Sequence, residues 1–260
     1  VDIRPGAGSV LGTDLAAKAN PDGYTLVLVA TAHALNTGLM SKLPYDAIRD
    51  FAPITLAVDS PLVFLAPPAV GIGTIADLIA LAKSQPGRII YGSSGQGTSG
   101  HLATELLQLR TGIRMVHVPY KGAGQALTDL LGAQIQLLCT STMPSLPHVR
   151  SGKLRALAVT TRSRSSAAPD IPTVAESGIP GFQATTWYAL LAPAGTSPAI
   201  IEKLHAVTVH VLRSPAVTDL LRAQGAEAIA NSPQELRAFL ENEIAVWTKV
   251  IRQANIRPNT

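Results

Sequence analysis

Short apolar runs alternate along the chain with longer stretches whose apolar residues recur at helical spacing. The short runs predict strands over 25–30, 54–58, 62–66, 89–91, 115–118, 135–139, 154–160, 187–192 and 227–230. The helical patterns cover 10–19, 75–84, 101–111, 123–131, 198–212, 215–224 and 233–254. Thr74, Ser197, Ser214 and Ser232 stand where N-caps belong, and Pro198, Pro215 and Pro233 follow three of them at the first helical position. Gly23, Gly87, Gly132 and the pair Gln224-Gly225 mark stops. Such alternation predicts an α/β protein with largely parallel sheets.

The most informative break between elements lies at 88–106. A buried strand ends in a run of glycines, serines and threonine, and an amphipathic helix begins at His101. A strand that opens through glycines into a helix start aims unpaired N–H groups and a positive dipole end at one point, which suits an anion. Gly95-Gln96-Gly97-Thr98-Ser99-Gly100 also spells the dinucleotide fingerprint. The acidic residue expected about 20 positions on is missing, since the next strand runs into Pro119-Tyr120-Lys121-Gly122. Lys121 leaves a 2′-phosphate as an alternative. The residues therefore admit a cradle for a small carboxylate, a nucleotide site, or a tight turn without ligand.

Composition narrows the class. The chain of 260 residues is 47% hydrophobic and 15% charged, which describes a compact fold with one large or two smaller cores. Mean hydropathy is positive, yet no apolar run reaches the length of a spanning helix. The single cysteine, Cys139, precludes an internal disulfide and the cysteine-based zinc signatures. The histidines show no metal-ligand spacing, so no metal or cofactor is expected. A net charge of +4 with scattered basic residues, the densest being Arg162-Ser163-Arg164, gives no nucleic-acid signature.

An ordered set of motifs then carries a resemblance. It comprises Arg4-Pro5-Gly6-Ala7-Gly8, Pro21-Asp22-Gly23-Tyr24, Leu43-Pro44-Tyr45-Asp46 and Asp50-Phe51-Ala52-Pro53. Tyr91-Gly92-Ser93-Ser94-Gly95, His117-Val118-Pro119-Tyr120-Lys121-Gly122 and Gly152-Lys153-Leu154-Arg155-Ala156-Leu157-Ala158-Val159-Thr160 follow. Pro172-Thr173-Val174-Ala175-Glu176-Ser177-Gly178 and Leu190-Leu191-Ala192-Pro193-Ala194-Gly195-Thr196 complete it. Over essentially the whole chain, this pattern resembles the Bug family, the periplasmic receptors of tripartite tricarboxylate transporters.

The resemblance implies a two-lobed periplasmic-binding-protein fold of type II that closes on a small carboxylate and delivers it to a membrane permease. It also implies that the family's first strand, loop and helix are missing before Val1. The expected lobes are 1–93 with 193–260, and 94–192. The matching positions are Ser94, Gly97, Thr98, Ser99 and His101 on one side of an interlobe cleft, and Thr31, Ala32, His33 and Asn36, in a loop, on the other. Thr140 stands where many relatives carry Asp, which favours a plain mono- or dicarboxylate over an amino acid. Trp187 either walls the cleft or packs the hinge. His33 and His101 are read either as ligand contacts or as caps. A monomeric, periplasmic receptor without cofactor is the expected whole. The competing readings are a cofactor-free or NADP-dependent enzyme and a ligand sensor for a signalling partner. Against the enzyme, there is no G-x-S-x-G elbow and no acid placed to orient a histidine.

Overall fold

A computed structural model describes residues 1–256 other than 3, 5–8, 166, 167 and 224. Most of the first shared motif and the Gln224 part of one stop signal therefore lie outside the described residues. The chain opens with α1 (Val10–Ala17), β1 (Val27–Ala30), α2 (Ala32–Leu39) and β2 (Phe51–Ala66). It continues through α3 (Ile75–Ser84), β3 (Ile90–Ser93), α4 (Ser99–Thr111), β4 (Val116–Pro119) and α5 (Ala123–Leu131). Then come β5 (Leu137–Ser141), α6 (Thr142–Arg150), β6 (Arg155–Val159) and β7 (Thr185–Pro193). The last elements are α7 (Pro198–Leu212), α8 (Pro215–Ala223), β8 (Glu227–Ala228) and α9 (Pro233–Gln253).

The α/β character of the sequence is realised, as a mixed sheet rather than a largely parallel one. Strand β3 pairs parallel with β4 and β5. The pairs β1–β7, β2–β5, β2–β6 and β2–β8 are antiparallel. The predicted strands 54–58 and 62–66 fuse into the single β2, because the fixed φ of Pro61 between them suits extended backbone. Two helices went unpredicted. In α2, Ala32, Ala34 and Leu35 favour helix where a loop was expected. In α6, Pro144 occupies the first turn, where no intrahelical N–H bond is lost, and only Pro147 forgoes one.

The chain forms two compact units. One holds Val1–Asp59, Trp187–Leu221 and the segment from Ala226 through α9, and the other is built on Ser60–Thr186. The division falls within β2 and near the start of β7, not at 93 and 193. Strand β3 is hydrogen-bonded into the sheet of β4 and β5, and β7 into that of β1, so each stays with its partners.

In the first unit β1, β7, the first half of β2 and β8 form the sheet. Its core includes Val29, Phe51, Leu56, Trp187, Leu191, Leu236 and Leu240. Helices α2 and α9 pack closely at Gly38, where a Cβ would fall 2.9 Å from Ile251 Cδ1 and 3.1 Å from Thr248 Cα. In the second unit the sheet order is β6, β2, β5, β3, β4. Val63, Leu65, Ala126, Leu130, Ile135, Leu138 and Val159 fill its core, and each large aliphatic side chain among them contributes about 1.5–3 kcal/mol through burial.

Candidate functional site

In the second unit β3, β4 and β5 run in the same direction, and each leads into a helix, α4, α5 and α6 respectively. Three helix N-termini thus gather at one edge of the sheet, the edge where open α/β sheets receive ligands. Between β3 and α4, Gly95 (φ +141°) and Gly97 (φ +75°) adopt backbone that residues with side chains rarely enter. Helix α4 begins at Ser99, one half-turn before the predicted start at His101. Gly100 answers a different demand: a Cβ there would lie 2.0 Å from the carbonyl oxygen of Cys139. That contact seats the first turn of α4 against the end of β5, next to buried Thr140.

The hydrogen bonds of the loop separate its scaffold from its free donors. Ser93 Oγ donates to Gly95 O at 2.9 Å and accepts the Gly95 N–H at 3.2 Å. Thr98 Oγ1 donates to Gly95 O at 2.7 Å. The Gly97 N–H donates to His101 Nδ1 at 2.9 Å. Gly97, Thr98 and His101, expected at a ligand, therefore bond to one another's segment and fix the loop. Ser94 and Ser99 are half-buried, and among the described residues their hydroxyls have no hydrogen-bond partner.

Behind the loop lies a column of aromatic rings that the sequence reading missed. His101 and His117 stack with centroids 3.9 Å apart and planes 11° from parallel, and Tyr91 covers His117 at 4.8 Å. His117 Nε2 lies 2.7 Å from Ser93 Oγ. The Tyr91 hydroxyl donates to Glu105, which also accepts from Gln108 Nε2 at 2.7 Å. Burial, reinforced by the neighbouring His117, lowers His101 to about 3. Burial lowers His117 to about 4. Glu105 is raised by burial, and burial together with the Glu105 carboxylate pushes the Tyr91 phenol far up. The signal that joins these residues is the parallel register Tyr91↔His117, which periodicity cannot supply.

The residues expected in the first unit serve its core. Thr31 is the N-cap residue of α2, and its Oγ1 accepts the Trp187 N–H at 3.0 Å. His33 lies in α2, not in a loop, and is 2% exposed. Its Nε2 donates to Ala47 O at 2.8 Å, Tyr45 stacks on it, and Phe51 meets it edge-on. Burial lowers its pKa, so the ring is a neutral packing element. Ala32 is half-buried and Asn36 buried on the same helix. Trp187 is fully buried, edge-on to Phe239, so it packs the core rather than walling a cleft. Its indole donates to Glu243 Oε2 at 2.7 Å, and Trp247 donates to the same oxygen at 2.9 Å.

No acid stands at the end of β4 to complete the dinucleotide fingerprint. There the Tyr120 hydroxyl donates to Asp129 Oδ2 at 2.7 Å, and Lys121 is exposed. Among the described residues no group of histidine, cysteine or acidic side chains is placed to hold a metal. A cavity of about 490 Å³ in the first unit, walled by Phe51, Pro53, Ala194, Ile201, Arg49 and Arg237, shares no residue with the expected site. No helix among the described residues is long and apolar enough to cross a membrane.

Relatives agree with this architecture. Protein BugT of Bordetella pertussis is 40% identical over 259 residues, covering 99% of this chain and 79% of its own. Rpa4515 of R. palustris, solved with adipate, superposes with a TM-score of 0.82 at 35% identity over 98% of this chain and 86% of its own. MatC from Rhodopseudomonas palustris, solved with bound malate, gives 0.76 at 30% identity over 95% and 85%. The family model that matches the chain is that of a transporter receptor, which removes the enzyme readings. Residues 1–256 match the model of the tripartite tricarboxylate transporter family receptor, TctC, and the chain belongs to that family of periplasmic solute receptors.

Proposed function

We propose that this chain is an extracytoplasmic receptor whose ligand is a small carboxylate, received at the β3–α4 loop and passed to the permease of a tripartite transporter. The observation that carries the reading is the division of labour in that loop. Gly97, Thr98 and His101 are spent on holding it, while the Ser94 and Ser99 hydroxyls at the N-terminus of α4 have no partner among the described residues. Hydroxyl donors beside a helix dipole suit an ionised carboxylate, since charge-assisted bonds are about twice as strong as neutral ones. Thr140 puts a hydroxyl, not a carboxylate, beside the loop, which suits a purely anionic ligand. The adipate and malate carried by the two solved relatives support the same class.

The test is calorimetric titration of the chain with adipate, malate and, as a control, NADPH. One of the two acids binds, and Ser94→Ala combined with Ser99→Ala weakens it by about 1–3 kcal/mol. Binding of NADPH alone, or unchanged affinity in the double variant, overturns the reading.

A further inference from the structure

We infer that His117 is a positioning residue for the β3–α4 loop: it holds the loop through Ser93 and, stacked on His101, fixes the ring whose Nδ1 accepts the Gly97 N–H. The inference rests on the carboxylate reading for its purpose, but the geometry stands independently.

Ser93 Oγ has one hydrogen and two lone pairs. With the hydrogen given to Gly95 O and one lone pair taking the Gly95 N–H, the contact at 2.7 Å closes when His117 donates from Nε2. His101 has the opposite duty. Its Nδ1 accepts the Gly97 N–H, which requires an unprotonated nitrogen. An imidazolium at 101 would set N–H against N–H and release Gly97. The loop is therefore clamped at both ends, at Ser93 from β4 and at Gly97 from α4.

The clamp is insulated from protons. Burial opposes a charge on either imidazole, and for His101 the neighbouring His117 ring, 3.9 Å away, adds to that opposition. The titratable groups facing the pair are Tyr91 from β3 and Glu105 from α4, whose Oε1 is 4.0 Å from His101 Nε2. Cys139 on β5 underlies Gly100, and burial pushes its thiol far up, so it stays uncharged. Glu105 already accepts from Tyr91 and Gln108. No arginine or lysine takes part in these contacts. The arrangement predicts a loop that is indifferent to pH across the ordinary range and fails abruptly in strong acid.

The test uses ligand-free chain in solution, following the amide resonances of Gly95 and Gly97 and the ring resonances of His101 from about pH 7.5 down to about pH 5. In the unaltered chain these resonances stay nearly constant. His117→Gln keeps a donor for Ser93, so Gly95 and Gly97 hold their positions near neutrality. It removes the second ring, so His101 titrates closer to its ordinary value of 6.5 and the Gly97 resonance moves with it. His117→Ala displaces Gly95 and Gly97 already at neutral pH, and affinity for whichever of adipate and malate binds falls about five- to tenfold, the loss of roughly one hydrogen bond, with rescue in His117→Gln. Unchanged Gly95 and Gly97 resonances in both variants, with His101 titrating as before, overturn the inference. If His117→Ala does not fold, the His117→Gln titration alone decides it. Displaced loop resonances with the affinity for that acid unchanged would uphold the positioning role and overturn the carboxylate site.

Discussion

Gly100 and Cys139 stand so close that a single added methyl at Gly100 would overlap the Cys139 carbonyl oxygen, 2.0 Å away. The neighbour is backbone in a central strand, so it cannot step aside as a side chain can. Gly100→Ala is expected to cost about 3 kcal/mol in urea unfolding, the upper part of the range for overpacking. Gly124→Ala, in α5 with nothing within 4 Å, is the matched control. There the entropy of the unfolded chain falls, and stability rises by about 0.5–1 kcal/mol. Equal effects from the two changes would contradict the contact.

Glu243 carries the indole N–H groups of Trp187 and Trp247, the only two tryptophans in the sequence. Burial raises its pKa, and the two donors pull it back down. Glu243→Leu strands both donors and should cost about 3 kcal/mol, whereas Glu243→Gln keeps a carbonyl acceptor and should cost less than half of that. Tryptophan emission reports directly on this site and should shift in the leucine variant.

Two serines at helix starts look alike in sequence and differ in space. Ser232 accepts the Glu235 N–H at 3.2 Å while Glu235 accepts the Ser232 N–H at 2.8 Å, a complete capping box. Ser197 makes no side-chain cap bond. Ser232→Ala is expected to lower stability by about 1 kcal/mol and Ser197→Ala by a small fraction of that, measured by thermal unfolding.

Acid should weaken the fold through its histidines. His33, His101 and His117 all sit below their ordinary value of 6.5 in the folded chain. Between that value and the folded values of about 4 and about 3 for His117 and His101, the unfolded chain binds protons that the folded chain refuses. Stability from these groups is therefore complete above about pH 6.5 and declines as pH falls. Glu105 and Glu243, raised by burial, act in the other direction, favouring the folded state until pH rises through their shifted values. Urea unfolding near pH 7 and pH 5 should show a loss at the lower pH that shrinks in His117→Gln. A loss of unchanged size in that variant would count against the stacked pair as its source.

Local signals carried much of this fold. Helices α3, α5 and α7 run over the residues that periodicity predicts, because Thr74, Gly132 and Pro198 punctuate them. The glycine-rich break after β3 was legible as a tight strand-to-helix turn from residue type alone. What stayed hidden depends on pairing. The direction of strands follows from which ones meet, so the antiparallel partners of β2 were not visible. His33 and Trp187 have polar atoms that suggest ligand contacts, and only their bonds to Ala47 O and Glu243 show them to be core residues. His117 was read only as part of a motif, without a role, because its neighbour Tyr91 is distant in sequence and adjacent only through register.

Strand β2 belongs to both units, and its partners reach the ribosome exit at very different times. Its second half pairs with β5 and β6, whereas Val58 in the first half pairs with Ala228, near the end of the chain. During synthesis the unit built on Ser60–Thr186 has its strands β3 to β6 in hand before β7, β8 and α9 emerge. The first unit must wait with β1 and half of β2 unpaired, and apolar residues such as Phe51 and Leu56 uncovered. The span most exposed to aggregation or proteolysis before the later elements arrive is thus that through β1 and the first half of β2, which is made early and completed last.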